Sequence, residues 1–125
     1  MYYVKTKNLN GLTYWQYENN NDTLSIFVDF LCDIKCDNVW LKKNIAKNNG
    51  NYQIGFNETW LSISDDTVFI KNTFSYDETN PSPIVKMPLD VFYKLIDEWA
   101  KLYHAQVNEI TLIQDDNGQY RFEWE

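Results

Sequence analysis

The sequence is poor in the residues on which most catalytic and cofactor sites depend. Among 125 residues it has one histidine, two cysteines and four glycines. The glycines are scattered along the chain, which argues against a glycine-rich loop that cradles nucleotide phosphates. The histidine, His104, falls where a helix is predicted to end, and there it is expected to complement the helix dipole. We therefore predict no catalytic residues and no cofactor.

The two cysteines, Cys32 and Cys36, do not form a recognisable metal or redox motif. A zinc site needs four ligands, and the spacing differs from the Cys-x-x-Cys redox motif. A single close pair is also no disulfide framework, so we expect two reduced thiols, at least one of them in the core, and no metal. The chain lacks a long apolar run, and its first residues, MYYVKTKNLNG, lack a signal-peptide core. These features predict a cytoplasmic protein.

Positive charge is in deficit, with 11 basic against 18 acidic residues and a net charge of -7. This balance argues against nucleic acid and anionic membranes as ligands, because both attract clustered Lys and Arg. It favours a basic partner, although acidity can also serve solubility alone. Residues 1–57 hold 6 basic and 5 acidic residues, whereas residues 58–125 hold 5 basic and 13 acidic residues. The second half therefore carries the negative charge.

The first half of the chain and its middle read mainly as strands. Residues 24–34 are rich in β-branched and aromatic residues and predict a strand buried on both faces, with a short helix as the alternative. Residues 39–48 predict a short helix with Trp40, Leu41 and Ile45 facing inward. Alternation over residues 52–56 predicts a strand, and residues 60–72 predict a hairpin that turns at Asp65-Asp66.

A helix from about Pro88 to His104 is the clearest element, because its apolar residues recur at three- and four-residue spacing. Residues 110–124 predict a closing hairpin, since Asn117-Gly118 lies between two alternating runs. We therefore expect residues 1–125 to form one α+β domain. Its fold is predicted to be a mainly antiparallel β-sheet with one principal helix, in the C-terminal half, packed on one face.

The C-terminal third resembles a known class of proteins. Ile84 to Trp99, IVKMPLDVFYKLIDEW, reads like a strand that leads through Met-Pro-Leu into a helix, and ITLIQDDNGQYRFEWE follows as a hairpin. Together with the size and charge, this order of elements is similar to the small acidic immunity proteins of bacterial contact-dependent growth inhibition and polymorphic toxin systems. The resemblance implies a protein that stays in the cytoplasm and neutralises a cognate toxin domain, often a basic nuclease of RNase or tRNase type, by covering its active site or substrate-binding surface.

Acidic doublets and one tyrosine are the candidate partner-binding residues. Carboxylates on turns and on a helix surface would steer a basic toxin by electrostatic attraction. Aromatic side chains near turns, such as Tyr14, Trp15 and Tyr17, are further candidate anchors, with a large aromatic core as the alternative. The predicted partner-binding set is Asp65, Asp66, Tyr76, Asp77, Glu78, Asp97, Glu98, Asp115 and Asp116.

Other functions stay open at the level of sequence. A small acidic adaptor, or a phage-type inhibitor of another basic protein, would use the same chemistry, and gene neighbourhood would separate it from an immunity protein. A small enzyme would need a cleft with perturbed titratable groups. A homo-oligomer paired through edge strands would be visible in size-exclusion chromatography. We expect a monomer or a weak homo-oligomer.

Overall fold

The computed structural model describes residues 1–9, 12–73 and 83–125. Within these ranges the chain forms eight strands and three helices. In chain order the elements are β1 (Tyr2–Leu9), β2 (Leu12–Asn19), α1 (Asp22–Ile34), α2 (Asn38–Lys47), β3 (Tyr52–Gly55), β4 (Thr59–Ser64), β5 (Thr67–Asn72), β6 (Val85–Pro88), α3 (Leu89–Ala105), β7 (Glu109–Gln114) and β8 (Tyr120–Trp124).

The described strands form two antiparallel sheets of four strands each. The first sheet has the order β2-β1-β7-β8, and the second has the order β3-β4-β5-β6. Helix α1 contacts β4, β5 and β6 on one side and β1 on the other, and α3 contacts β5, β6 and β8. The two helices therefore fill the space between the sheets, where apolar faces from both sheets and both helices share one core.

This arrangement confirms the α+β class and the antiparallel pairing, but it corrects the expectation of one sheet with one principal helix on one face, because two sheets are present. Three helices are present in the described ranges, and two of them pack against both sheets. A helix that contacts a sheet on each side must be apolar around most of its circumference. That requirement explains why the polar residues of α1 form only a narrow stripe, in which Asp22, Ser25, Asp29 and Asp33 recur at three- and four-residue spacing.

Helix α1 replaces the strand predicted for residues 24–34, so that prediction was wrong and its alternative was right. The side chain of Asn21 accepts a hydrogen bond from the backbone N–H of Leu24 at 2.8 Å and thereby caps the helix. Asp22 lies in the first turn, where the helix dipole favours a carboxylate. Seven of the thirteen residues are buried, namely Leu24, Ile26, Phe27, Val28, Phe30, Leu31 and Ile34.

The other predicted elements are confirmed, with corrections of detail. Pro88 is the residue before the first helical residue of α3 rather than the first position itself, and its extended backbone leads the chain from β6 into the helix. In α2, Leu41 and Ile45 are buried as expected, whereas Trp40 is 49% exposed. The hairpins β4–β5 and β7–β8 form as predicted. In the described part of the chain, no helix is long and apolar enough to cross a membrane.

Candidate functional site

The Asp65-Asp66 turn presents two exposed carboxylates on a well-defined backbone. Both residues have positive φ values, 50° and 58°, and they form a two-residue connection between the paired residues Ser64 and Thr67. Positive φ at both central residues is the geometry of a type I′ hairpin turn. The backbone N–H of Leu89 donates to the carbonyl of Asp66 at 2.9 Å, which fixes the turn beside the start of α3.

The Asp115-Asp116 pair lies in the β7–β8 turn, and its two carboxylates have different roles. One oxygen of Asp115 accepts hydrogen bonds from the backbone N–H groups of Asn117 at 2.9 Å and Gln119 at 3.0 Å, so this residue shapes the turn. Asp116 is exposed and lies 2.8 Å from the amino group of Met1, which lowers the pKa of its carboxyl. Asp116 is therefore the member of the pair that faces solvent.

Asp97 lies on α3 and faces α2, although its side chain is still 43% exposed to solvent. Its two carboxylate oxygens accept hydrogen bonds from Asn38 and Lys42, both at 2.8 Å. Burial acts to raise the pKa of Asp97, but the hydrogen bonds from Lys42 and Asn38 outweigh it and lower the pKa. This carboxylate joins two helices, while its neighbour Glu98 is half-buried without an ion pair among the described residues. Asp97 is therefore already engaged within the fold.

Part of the predicted binding set lies outside the described residues. Tyr76, Asp77 and Glu78 all fall there. Of the aromatic candidates near the N-terminus, Trp15 stacks on the core residue Trp99 with a centroid separation of 5.9 Å. Trp15 is thus half-buried against the core and is not a free surface anchor.

The predicted carboxylates do not converge on one site. Asp65 and Asp66 belong to the second sheet, Asp115 and Asp116 to the first, and Asp97 to the contact between α2 and α3. Within the described ranges, no hydrogen bond or ion pair joins one of these pairs to another. If they act on a partner, they act as separate charges over a wide surface.

Sequence reasoning missed a group of carboxylates that does converge. Asp29 and Asp33 lie four residues apart on α1, and Glu58 approaches them from the β3–β4 turn. One oxygen of Asp33 accepts hydrogen bonds from the backbone N–H of Glu58 at 3.1 Å and from the hydroxyl of buried Thr59 at 2.9 Å. We call Asp29, Asp33 and Glu58 the acidic cluster. Its one sequence signal is the four-residue spacing of Asp29 and Asp33, which becomes meaningful only on a helix.

The electrostatics of the acidic cluster show uncompensated negative charge. Burial raises the pKa of the Asp29 carboxyl, and the charges of Glu58 and Asp33 raise it further. None of the three carboxylates has an ion-pair partner among the described residues. Like charges held together without a cation destabilise one another, so the cluster is a surface that a cationic group would stabilise.

Cys32 lies beside this cluster but is poorly suited to nucleophilic chemistry. Burial raises the pKa of its thiol to about 11, against a hydrogen bond from Trp15 that lowers it, and the charges of Asp29, Asp33 and Glu58 raise it further. A nucleophilic cysteine requires the opposite environment, in which a cation or helix N-terminus stabilises the thiolate. The thiols of Cys32 and Cys36 are both free.

Neither His104 nor a metal cluster offers an alternative centre in the described part of the chain. His104 is exposed in the last turn of α3, where an imidazole complements the helix dipole. No group of three or more His, Cys, Asp or Glu among the described residues is arranged to hold a metal ion. Comparison of the chain with protein-family models, curated proteins and solved structures finds no match.

Proposed function

We propose that this chain is a binding protein that neutralises a basic partner, in the manner of an immunity protein that covers the active site or the substrate-binding surface of a nuclease toxin domain. The observation that carries the proposal is the acidic cluster. Asp29, Asp33 and Glu58 come together from two separate elements without a cation among the described residues. A lysine or arginine of a partner would supply the missing charge.

Electrostatic attraction supports the proposal both at long range, before the partner binds, and at short range, in the complex. At long range, a net charge of -7 attracts a basic domain and accelerates encounter, to rates near 10⁸–10⁹ M⁻¹s⁻¹ at low salt compared with about 10⁵–10⁶ for neutral pairs. At short range, an arginine beside Asp29 and Glu58 would form charge-assisted hydrogen bonds and relieve their repulsion. The long-range part weakens with salt, because ions screen charges separated by more than a Debye length.

In this proposal the other acidic residues predicted from the sequence contribute less directly to binding than the acidic cluster does. Asp65 and Asp66 are exposed and without an ion-pair partner in the described part of the chain, so they add to the attractive field. Asp115 and Asp97 are occupied by the fold, and we assign them no direct contact. Tyr76, Asp77 and Glu78 stay in the proposed set on the strength of the sequence alone.

The first experiment captures the partner with the tagged protein as bait, at low and at raised salt. We expect one basic toxin domain, held more weakly as salt rises. The double variant Asp29→Lys/Glu58→Lys should lose the complex, while Asp33 is left unchanged because it supports the β3–β4 turn. Glu123→Lys/Glu125→Lys, which makes the same charge change on the first sheet, is the matched control and should retain it. Loss of binding in both variants would contradict a local role for the cluster.

The contribution of the Asp65-Asp66 turn can be measured without disturbing the hairpin. Asp65→Asn with Asp66→Gly removes both charges and keeps residues that favour positive φ at both turn positions. We expect a slower association rate and an unchanged dissociation rate, because these charges steer rather than contact the partner. An unchanged association rate would remove the turn from the proposed binding set.

A further inference from the structure

The outer face of the second sheet combines lysines with partly exposed aromatic side chains. Cross-strand pairing places Gln53, Ser62, Phe69 and Lys86 in one row on the side away from the helices. The next row holds Gly55, Trp60 and Lys71, and Ile84 precedes β6 beside them. An open cavity of about 380 Å³ lies on this face. We call it the basic-aromatic face, and its lining residues are Gln53, Trp60, Ser62, Phe69, Lys71 and Ile84.

The charge of this face is opposite to that of the protein. The outward residues of β3, β4, β5 and β6 include two lysines and no carboxylate. Lys86 lies over the ring of Phe69 at 5.8 Å from its centroid, and Lys71 is paired across the strands with Trp60. Neither ammonium has a carboxylate partner among the described residues. In a chain with 18 acidic residues, two lysines without an ion-pair partner among the described residues, on strands whose outward residues include no carboxylate, form a distinct local field.

The aromatic part of the face has a defined geometry. A Cβ atom at Gly55 would lie 3.0 Å from Cε3 and 3.1 Å from Cζ3 of Trp60, so the indole ring covers the backbone of β3 at this position. Glycine is the residue that allows this approach. Ile84 is 51% exposed at the other side of the cavity. A ring held in place beside an exposed aliphatic side chain resembles the aromatic anchors that dominate protein interfaces.

We propose that the basic-aromatic face is a second docking surface, for a partner protein segment that presents carboxylates beside apolar side chains. The carboxylates would pair with Lys71 and Lys86, and the apolar side chains would pack on Trp60, Phe69 and Ile84. Charge complementarity favours this occupant, because the two ammonium groups have no internal counter-charge in the described chain. The surface is distinct from the acidic cluster, so it does not depend on the basic partner proposed above.

Two other occupants fit the charges of the molecule less well. A nucleic acid would be repelled by a net charge of -7, and two lysines neutralise too few phosphates to overcome that repulsion. A second copy of this chain offers carboxylates, but both copies carry the same net negative charge and repel each other as they approach. A segment with local carboxylates and a smaller net charge avoids both penalties.

The test uses the full chain and a displayed library of random peptides as the probe. We expect enrichment of peptides that combine Asp or Glu with Leu, Ile, Phe or Trp. Their affinity for Lys71→Glu/Lys86→Glu should fall at least about tenfold, and Trp60→Ala should also weaken them. Lys43→Glu/Lys47→Glu makes the same charge change at exposed positions of α2 and should bind the peptides like the unmodified protein.

Several results would overturn the proposal. These are the absence of enriched peptides, enrichment of basic peptides, or equal binding by the Lys71→Glu/Lys86→Glu variant. Oligodeoxythymidine that binds the protein and is released by this variant would reassign the face to nucleic acid. Self-association in sedimentation velocity that disappears in the same variant would reassign it to a second copy. Circular dichroism of each variant establishes that it is folded before binding is compared.

Discussion

The carboxylate of Asp97 lies 2.8 Å from the ammonium of Lys42, and this ion pair joins α3 to α2 at the surface of the fold. Lys42 also lies over the ring of Tyr93, at 5.4 Å from its centroid. One lysine therefore contacts two residues of α3 that are four positions apart, on the same side of that helix. The ion pair helps to hold α2 against α3, which is the element that α2 contacts most.

The Asp97–Lys42 pair should stabilise the fold modestly. Both side chains are more than a third exposed, so solvent screening limits the coupling to about 0.2–1 kcal/mol. A double-mutant cycle of Asp97→Asn and Lys42→Met, followed by urea denaturation, measures this coupling. Lys43→Met, an exposed neighbour, is the control and should change stability by less. A coupling of zero would show that the contact is made and broken freely in solution.

Acid should remove the contribution that the Asp97 carboxylate makes to the free energy of unfolding. Its pKa is lower in the folded protein than in an unfolded chain, where the pKa of an aspartate is about 3.9. The unfolded state therefore binds the proton first, and the stabilisation is complete above that pH and lost as pH falls through the lower folded pKa. The difference in stability between the unmodified protein and Asp97→Asn should be constant near neutral pH and shrink below about pH 4. A difference that grows in acid would contradict the lowered pKa.

Phe27 should be among the residues on which stability depends most. It is fully buried on α1, stacks on Tyr120 of β8 at a centroid separation of 4.9 Å and contacts Phe30 at 6.4 Å. Phe27→Ala should lower the free energy of unfolding by about 3–5 kcal/mol. Val39→Ala is the control, because Val39 is 59% exposed on α2. Equal losses in the two variants, measured by urea denaturation, would contradict the placement of α1 between the sheets.

The thiol of Cys32 should alkylate slowly in the folded protein. Burial raises its pKa from 9.0 to about 11, which lowers its thiolate fraction near neutral pH by about a hundredfold. Iodoacetamide labelling followed by peptide mass spectrometry gives the rate at Cys32 in the folded chain and in urea. We expect a rate at least about a hundredfold lower in the folded chain, since the thiolate is the reactive form. Comparable rates would show that the thiol is not held in its buried environment.

Gly55→Ala should move the indole ring of Trp60. The added Cβ would lie about 3.0 Å from the ring, closer than ordinary carbon contacts, and the half-buried ring must shift to relieve the overlap. We expect a shifted indole N–H resonance for Trp60 in NMR spectra and weaker binding of acidic peptides. Ser62→Ala, on the neighbouring row of the same face, is the control and should leave that resonance in place. An unmoved resonance in Gly55→Ala would contradict the close approach.

The hairpins and α3 could be predicted from sequence because their signals are local. Asn117-Gly118 marks a turn, and the three- and four-residue spacing from Leu89 onward marks a helix that is buried on one side. The spatial order of the strands depends instead on contacts between residues that are far apart in the sequence. Nothing in the sequence indicates that β1 pairs with β7, because the paired residues are far apart along the chain.

Helix α1 was missed for a physical reason. A helix that packs against two sheets needs apolar residues on most sides, so the run from Leu24 to Leu31 keeps only two polar residues, Ser25 and Asp29, to mark the helical period. The decisive local signal is Asn21, whose side chain accepts a hydrogen bond from Leu24 N–H as a helix cap. The acidic cluster was missed as a consequence, because Asp29 and Asp33 share a side only on a helix.

The two sheets differ in how far apart along the chain their strands lie, and this difference affects the order in which they can form during synthesis. The second sheet uses one continuous stretch, from Tyr52 to Pro88, whereas the first sheet joins both ends of the described chain and pairs Tyr2 with Gln114. Strands β1 and β2 are translated before β7, so β1 lacks this neighbour until β7 has been made. Until then the backbone groups along the edge of β1 that will pair with β7 are unpaired, and this edge can pair with a wrong strand. The strand order of the first sheet therefore requires the β7–β8 hairpin, which follows the whole second sheet along the chain.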